Sequence, residues 1–240
     1  MAPYGLRSTC GKNRIFNELN PSMRNIAMIP ARLGSQRLKQ KNLRELGGVP
    51  LIVRAIQRAI EADVFDEVWV NSESDIIGDL ACKSGVEFHK RPAHYASNTA
   101  TSEDFVFEFM MKHECDYLFQ VHSIAPLLDS RQIRGFVQKM MGSGQDVQLS
   151  VVNEQIECVL NDQPINFSFD EKQNSQELSP IQRITWSITG WKSATYINAY
   201  KNKECATYAG QIGTYSISRE AGHIIKTEQD LRIAELLLKM

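Results

Sequence analysis

The chain has 240 residues, of which 42% are hydrophobic and 23% charged, a composition typical of globular proteins. Its formal net charge of −1 argues against a general nucleic-acid binder or a membrane-surface binder, since both carry an excess of basic residues. No apolar run approaches the roughly 18 residues of a membrane span. The five cysteines are odd in number and lack CxxC spacing, so they predict free thiols in the cytoplasm rather than disulfides or a zinc site.

The first part of the chain differs from the rest. Residues 1–24 have no periodic apolar pattern and lack the continuous apolar segment of a secretory signal. We predict a tail or appended segment at 1–24 and a single domain at 25–240.

The strongest local signal is an apolar run at residues 26–31, short enough for one buried strand. Residues 32–42, called the basic loop below, follow with Gly34, Ser35 and the cations Arg32, Arg37, Lys39 and Lys41. A helical stripe begins after Pro50. This order is typical of a site where backbone N–H groups and cations bind one phosphate. The GxxxxGK[ST] and GxGxxG patterns are absent, which excludes a Walker A loop and a dinucleotide fingerprint.

Strands and helices then alternate along the chain. Strands are predicted at 67–71, 86–89, 116–122 and 146–152, and helices at 51–62, 72–84, 105–111 and 130–141, with Gly85 and Gly142 as helix stops. The polar stretch at about 153–190 predicts an arm outside the main sheet. Strands at 193–198 and 211–218 and a helix at 227–239, capped by Thr227, complete the chain.

This alternation predicts an α/β fold with a Rossmann-like, mostly parallel sheet and helices on both faces. Ligands of such sheets bind at the carboxyl ends of the strands. The loops at 32–42, 91–102 and 120–126 all follow predicted strands, so we expect them to meet at one edge.

Several segments resemble a known family. IPARLGSQRLKQKNL at residues 29–43 is similar to the signature loop of the CMP-sugar-acid synthetases, the cytidylyltransferases that act on sialic, legionaminic, pseudaminic and related acids. Further motifs resemble that family in the same order: GVPLI at 48–52, RPA at 91–93, TATSED at 99–104, QVHSIAPLL at 120–128 and TEQDL at 227–231. The resemblance covers about residues 25–240.

The resemblance implies a nucleotide-diphospho-sugar transferase type of fold. It also implies transfer of CMP from CTP to the anomeric hydroxyl of a sugar acid, with release of pyrophosphate. Catalysis is assigned to Arg32 and Lys41, and contact with the sugar acid to Gln120. His122, at the end of the same strand, is a second candidate for sugar contact. A homodimer is implied, joined through the arm. The implied nucleotide-binding residues are Arg32, Gly34, Ser35, Arg37, Asn42, Arg91, Thr101 and Ser102.

The chain departs from the family pattern at several positions. Gln36 and Lys39 stand where the family has lysine and proline. The resemblance implies Mg²⁺ held by a carboxylate pair, but those two positions are Ile224 and Lys226, and neither side chain is an oxygen donor.

Lys226 has three interpretations: an ordinary exposed residue beside a helix, an ammonium group in the place of a metal, or the mark of a site that binds nucleotide without catalysis. The alternative function is therefore a catalytically impaired nucleotide- or sugar-binding relative. A nucleotidyltransferase for another sugar or base is a third hypothesis.

Overall fold

The computed structural model describes residues 23–35, 37–97 and 99–239. The segment predicted at 1–24 lies outside these residues except for Met23 and Arg24, and Gln36 lies outside them as well. The Arg24 N–H donates to the Asp116 carboxylate at 2.7 Å, and its guanidinium donates to Glu67 at 2.5 Å. Met23 packs against the core. These two residues are therefore part of the packed domain.

Strands and helices alternate through most of the described residues. The strands are β1 (Asn25–Pro30), β2 (Glu45–Leu46), β3 (Val49–Pro50), β4 (Glu67–Ser72), β5 (Glu87–Lys90), β6 (Tyr117–Val121), β7 (Val147–Glu154), β8 (Val159–Leu160), β9 (Gln163–Pro164), β10 (Ile181–Lys192) and β11 (Ile212–Ser216). The helices are α1 (Leu51–Ala62), α2 (Asp75–Lys83), α3 (Ser102–Lys112), α4 (Ser130–Ser143), α5 (Ser193–Lys201) and α6 (Glu228–Leu237).

One seven-stranded sheet organises the domain, in the order β11–β7–β10–β6–β1–β4–β5. β10 runs antiparallel to β6 and β7, and every other pair of neighbours in this sheet is parallel. Side chains of α1, α2 and α4 pack on one face, and those of α3 and α5 pack on the other. The predicted α/β fold with a mostly parallel sheet covered on both faces is confirmed.

β1 lies near the middle of the sheet, with its side chains from Ile26 to Ile29 completely buried. This burial explains the unbroken apolar run, because a parallel strand covered by helices on both faces has no solvent side. β1 is parallel to β4 and β6, and β5 is parallel to β4. The loops that follow β1, β5 and β6 therefore leave from one edge of the sheet, as predicted.

The predicted arm is shorter than expected. Residues 181–190, assigned to the arm from the sequence, belong to β10 and lie in the main sheet between β6 and β7. Near the start of β10 the polar residues Gln182 and Arg183 and the apolar Ile184 are exposed, whereas residues 187 to 191 are buried, so its pattern differs from that of the parallel strands. An antiparallel strand with one half outside the core does not show the continuous apolar run used to find the others.

The pairing of β10 with β7 is interrupted and then resumes in the second half of β10. Between Ile184 and Thr189 the pairing with β7 shifts, and Trp186 adopts φ +59°. The Ser150 hydroxyl of β7 accepts hydrogen bonds from the N–H groups of Ser187 and Ile188, both at 3.2 Å. This side chain therefore satisfies backbone donors where the ladder is interrupted.

Two further predictions were wrong in detail. Residues 193–198 form the first part of helix α5 instead of a strand, because Ser193, Tyr196 and Ala199 recur on one buried side of a helix. Helix α4 continues through Gly142 and ends at Gly144, where φ is +68° and the absence of a Cβ atom permits the left-handed turn.

The remaining arm carries a small hairpin. β8 and β9 pair antiparallel through Asn161 and Asp162, both with positive φ, as two-residue hairpin loops require. Its apolar side chains Val159 and Leu160 are exposed. In the described part of the chain, no helix combines the length and apolar character needed to cross a membrane.

Candidate active site

Hydrogen bonds made by side chains hold the basic loop in place. The Asn42 amide donates to the Arg32 carbonyl at 2.9 Å and accepts from the Ser123 hydroxyl at 2.7 Å. The Leu33 N–H donates to the Glu73 carboxylate at 2.8 Å. Asn42 is only 6% exposed. Contacts from the β4 and β6 ends of the sheet therefore hold the loop in place, and Asn42 links its two ends.

Three cations of the basic loop, Arg32, Arg37 and Lys41, lie close enough to interact electrostatically. Burial lowers the pKa of the Lys41 ammonium, and the positive charges of Arg37, Arg32 and Lys226 lower it further, while Asp230 acts in the opposite direction. A cluster of this kind disfavours its own charge until an anion is present. It is therefore suited to bind a polyanion such as a triphosphate.

The turn between these cations is open to a ligand. A Cβ atom on Gly34 would meet no atom of the described residues within 4 Å. The Ser35 N–H donates to the Leu33 carbonyl at 2.9 Å, so this donor closes the turn in the present arrangement. The guanidinium of Arg32 reaches the Ser97 carbonyl at 3.4 Å, which joins the basic loop to the loop that follows β5.

Arg91 lies at the carboxyl end of β5 and is 4% exposed. Its guanidinium donates to the side-chain oxygen of Asn71 at 2.6 Å and to the Asn71 carbonyl at 2.8 Å. It also lies 4.1 Å from the centre of the Phe105 ring. Burial lowers the pKa of Arg91 to about 10, while Glu73 acts in the opposite direction. Arg91 is thus a rigid cation between β4 and α3, on the wall beside the basic loop.

Thr101 and Ser102 begin helix α3 at the same edge. The Thr101 hydroxyl accepts from the Asp104 N–H at 3.3 Å, and the Asp104 carboxylate accepts from the Thr101 N–H at 2.8 Å, which forms a capping box. Ser102 is exposed at the first helical position. The N-terminus of α3, which carries the positive end of the helix dipole, therefore begins at Thr101.

Gln120 and Thr189 form a buried polar pair in the sheet. They are opposite each other on β6 and β10 and are 2% and 1% exposed. Among the described residues, neither the Gln120 side-chain nitrogen nor the Thr189 hydroxyl has a hydrogen-bond partner. Because buried polar atoms are nearly always paired, this pair is a place where a polar ligand or water would bind.

His122 follows β6, and its backbone N–H donates to the Ser187 carbonyl at 3.1 Å. Burial lowers the pKa of its imidazole to about 4, and the charge of Lys41 contributes to this shift. Within the described residues its Nε2 atom has no hydrogen-bond partner. His122 is therefore neutral at physiological pH and lies within electrostatic reach of the basic loop.

The segment before α6 forms the opposite wall. The Ile225 N–H donates to the Ile124 carbonyl at 2.8 Å. The Ile225 side chain is fully buried in one cluster with Leu38 of the basic loop and Leu231 of α6. The next residue, Lys226, is exposed. Apolar packing thus brings Lys226 to the basic loop, which the sequence alone did not show.

The carboxylates of this wall are engaged within the protein. One oxygen of Asp230 accepts from the N–H groups of Lys226 at 2.9 Å and Thr227 at 2.8 Å, and from the Thr227 hydroxyl at 2.9 Å. Burial opposes ionisation of Asp230, but these bonds hold its pKa below the ordinary value. Glu228 forms a double hydrogen bond with Arg44, at 2.8 and 2.9 Å.

These residues do not fit a magnesium ion at the positions the family resemblance implies. Mg²⁺ requires oxygen ligands in octahedral geometry. Ile224 packs partly buried against the core, and Lys226 presents a cation. No group of three or more His, Cys, Asp or Glu that could hold a metal occurs within residues 23–35, 37–97 and 99–239.

The structure brings together most of the predicted residues: the basic loop, Arg91, Thr101, Gln120 and His122 all lie at or beside the carboxyl edge of the sheet. The sequence analysis missed a set of supporting residues that hold the site in place. A polar residue at the end of a predicted strand was a usable signal for Asn71 and Ser123, and the spacing of Thr227 and Asp230 was a usable signal for the α6 cap. Glu73 acts through a contact that only the fold creates. The supporting residues are Asn71, Glu73, Ser123 and Asp230.

Comparisons with known proteins agree with this arrangement. A model of the cytidylyltransferase family matches residues 26–231. N-acylneuraminate cytidylyltransferase B of Danio rerio is 30% identical over 222 residues, which are 87% of this chain and 50% of that protein. Pseudaminic acid cytidylyltransferase of Campylobacter jejuni is 26% identical over 232 residues, which are 91% of this chain and 97% of that protein. This chain therefore spans half of the zebrafish relative and nearly all of the bacterial one.

Solved structures show the same fold. CMP:2-keto-3-deoxy-manno-octonic acid synthetase, solved in complex with CTP, has a TM-score of 0.70 and 19% identity, with 90% of this chain and 98% of that chain covered. A 4-diphosphocytidyl-2C-methyl-D-erythritol synthase from Anaerococcus prevotii has a TM-score of 0.69 and 12% identity, with 93% of this chain and 100% of that chain covered. Since the family model extends from β1 into α6 and so includes both walls of the site, the chain belongs to the cytidylyltransferase family.

Proposed function

We propose that this protein transfers CMP from CTP to a sialic-acid-like sugar acid and releases pyrophosphate. The observation that carries the proposal is the cation cluster of Arg32, Arg37, Lys41 and Lys226 at the carboxyl edge of the sheet. Pyrophosphate is a polyanion, and fixed cations at the leaving group stabilise the charge that develops as it departs. The zebrafish and Campylobacter relatives, named for N-acylneuraminate and pseudaminic acid, support the choice of acceptor.

In the proposed reaction, the anomeric hydroxyl oxygen of the sugar acid forms a bond to the α-phosphorus of CTP. The bond from that phosphorus to the bridging oxygen of the β-phosphate breaks, and the electron pair leaves with pyrophosphate. Arg32 and Lys41 bind the β- and γ-phosphates and neutralise the leaving group. Gly34 and Ser35 form the turn against which the phosphates lie, and Arg37 adds a further cation.

The nucleoside side of the site is assigned to the residues after β5. In this proposal Arg91, Thr101 and Ser102 contact the nucleoside, and Asn42, which donates to the Arg32 carbonyl, keeps the basic loop in position. The acceptor is assigned to the buried polar pair, where Gln120 would donate its unpaired side-chain N–H to a sugar oxygen. Neutral His122 can orient the acceptor hydroxyl by accepting a hydrogen bond from it, and the hydroxyl proton passes to solvent as the bond to phosphorus forms.

No step of this mechanism passes through a metal ion at Ile224 and Lys226, because these side chains do not supply the oxygen ligands that Mg²⁺ requires. Lys226 is a cation in the same place, and one ammonium provides charge without bridging coordination. The assay of function is therefore run both with Mg²⁺ and with a chelator.

We also propose that the protein acts as a homodimer in the cytoplasm. The odd number of cysteines supports a reducing compartment. The arm exposes several large apolar side chains, which supports its contact with a second copy: Val159, Leu160, Ile165 and Phe169. Sedimentation analysis tests this interface, and a wild-type chain that remains a monomer at micromolar concentration would exclude it.

The decisive experiment measures pyrophosphate released from CTP with a panel of sialic-, legionaminic- and pseudaminic-type acids. We expect release with at least one acid and none without an acceptor. Absence of release with every acid, together with thermal stabilisation by CTP, would overturn the proposal in favour of a catalytically impaired nucleotide-binding relative. Pyrophosphate release from another nucleoside triphosphate, but not from CTP, would change the proposed base and leave the proposed reaction class unchanged.

A further inference from the structure

Lys226 occupies the wall of the site that faces the basic loop. Its position is fixed by three contacts of its own segment. The Ile225 side chain is buried in the cluster that contains Leu38, the Ile225 N–H donates to Ile124, and the Lys226 N–H donates to Asp230 at 2.9 Å. The backbone at residue 226 is thus held next to the basic loop, while the side chain itself is exposed and ready to meet a ligand.

The charge of Lys226 acts on the same volume as the cations of the basic loop. It lowers the pKa of Lys41 together with Arg37 and Arg32. Of the carboxylates closest in sequence, Glu228 binds Arg44, whereas Asp230 caps α6 through uncharged donors and keeps its negative charge near the cluster. The charges acting on Lys41 are therefore those of Arg32, Arg37 and Lys226 against the single carboxylate of Asp230, a positive excess that attracts a polyanion.

We propose that Lys226 contacts a phosphate oxygen of bound CTP and supplies the charge that a protein-held divalent cation would otherwise supply, so that this chain binds the triphosphate without a metal of its own. The inference rests on the proposed function, since it concerns the same nucleotide. It differs from that function in its prediction: affinity for CTP is independent of divalent cations, whatever the acceptor is.

The chemical consequence concerns the form of the nucleotide. CTP without metal carries its full negative charge, and the cluster of four cations interacts with that charge directly. Magnesium bound to the triphosphate lowers the charge and adds a cation between two cationic walls. We therefore expect Mg²⁺ to leave the affinity unchanged or to weaken it, the opposite of a site with metal-binding carboxylates.

The experiment is calorimetric titration of CTP into the full chain, once with EDTA and once with excess Mg²⁺. For the wild-type protein we expect a dissociation constant in EDTA equal to or lower than that in Mg²⁺. Binding that requires Mg²⁺ overturns the inference but leaves the proposed function standing. Absence of binding in both buffers overturns both.

Two variants test whether the affinity for CTP in EDTA depends on the Lys226 side chain. Lys226→Met keeps the aliphatic part and removes the charge, and we expect it to weaken CTP binding in EDTA by about tenfold, the size of one charge-assisted hydrogen bond. Its loss in Mg²⁺ should be smaller, because the nucleotide then carries less charge. Lys226→Asp should abolish binding in EDTA and restore part of it in Mg²⁺.

The matched control is Lys83→Met, which removes an exposed lysine at the end of α2, outside the site. It should leave both dissociation constants unchanged. Because Lys226 is exposed, all variants are expected to unfold at the wild-type temperature, which thermal denaturation checks. Wild-type affinity of Lys226→Met in both buffers would overturn the inference.

Discussion

The two walls of the cleft are built in different ways. The basic loop is held by side-chain hydrogen bonds from neighbouring strand ends, with Asn42 bonded to Arg32 and Ser123. The segment before α6 is held by apolar burial of Ile225 and by the α6 capping box. Both walls nevertheless present a cation to the same space. A phosphate site can therefore be assembled from a polar scaffold on one side and an apolar anchor on the other.

The largest expected effect comes from the basic loop. Arg32→Ala or Lys41→Met should lower kcat/KM for CTP by about 10²–10³-fold, the loss typical when a group that stabilises developing charge is removed. Lys41→Met should not lower the melting temperature, because burial and the neighbouring cations already disfavour the Lys41 charge. Steady-state pyrophosphate release and thermal denaturation measure the two quantities.

Lys83→Met serves as the control for this comparison as well. If Lys41→Met kept wild-type kcat/KM, the basic loop would not be the wall that binds the leaving group. A fall in both activity and melting temperature would indicate a structural role for Lys41 instead.

The second prediction concerns the apolar anchor. Ile225→Ala should lower the free energy of unfolding by about 2–4 kcal/mol, since it opens a cavity in a fully buried cluster. Ile76→Ala, at a position 55% exposed on α2, should change it by less than about 0.5 kcal/mol. Urea denaturation measures both. Equal effects of the two substitutions would show that Ile225 does not hold the second wall.

The third prediction concerns the neutral imidazole of His122. Because the pKa of His122 is lowered to about 4 in the folded chain, the unfolded chain binds its proton first as the pH falls. Stability should therefore decrease between about pH 6.5 and pH 4, by up to about 3 kcal/mol from this residue. His113, whose pKa burial also lowers to about 4, adds a similar loss at the opposite edge.

Urea denaturation across this pH range tests the assignment. His122→Gln should remove the part of the stability loss at acid pH that comes from His122 and leave the part that comes from His113. His113→Gln should do the reverse. An unchanged pH dependence in His122→Gln would show that this imidazole titrates normally.

The smallest expected effect comes from introducing carboxylates into the segment before α6. Ile224→Asp combined with Lys226→Asp introduces two carboxylates where the family resemblance implies metal ligands. In excess Mg²⁺ we expect the double variant to turn over CTP about tenfold faster than the Lys226→Asp single variant, about 1.4 kcal/mol at 25 °C. The pyrophosphate assay measures it, with Asp230 left intact to preserve the α6 cap. Unchanged turnover, or loss of CTP binding in Mg²⁺, would show that these positions do not face the α-phosphate.

Much of the site was predictable because local patterns carried it. The apolar run at 26–31 identified β1, and the cations and small residues after it identified the basic loop. Thr227 was predicted to cap a helix, and both Thr227 and Thr101 form capping boxes with the carboxylate three residues later. In each case the interaction joins residues close together in the chain, so its signature lies in a short segment.

Elements with a mixed pattern were not predictable in this way. β10 was assigned to the arm because its polar first half and buried second half match neither a continuous strand nor a helix. Residues 193–198 contain Thr, Tyr and Ile, which favour strands, yet burial of Tyr196 and Ala199 on one side selects helix α5. Tertiary burial prevailed over local propensity at both places.

The order of strands and helices, the capped helix starts and the cations of the basic loop follow from the amino-acid sequence, because these depend on side-chain period and local hydrogen bonds. The partners of those cations were decided only by the tertiary structure. Ile225 and Leu38 are far apart in the chain, and their shared burial brings Lys226 to Lys41. Likewise, Arg91 becomes a fixed cation only when the adjacent strand places Asn71 against it. Such contacts arise from the packing of distant segments, which no local pattern encodes.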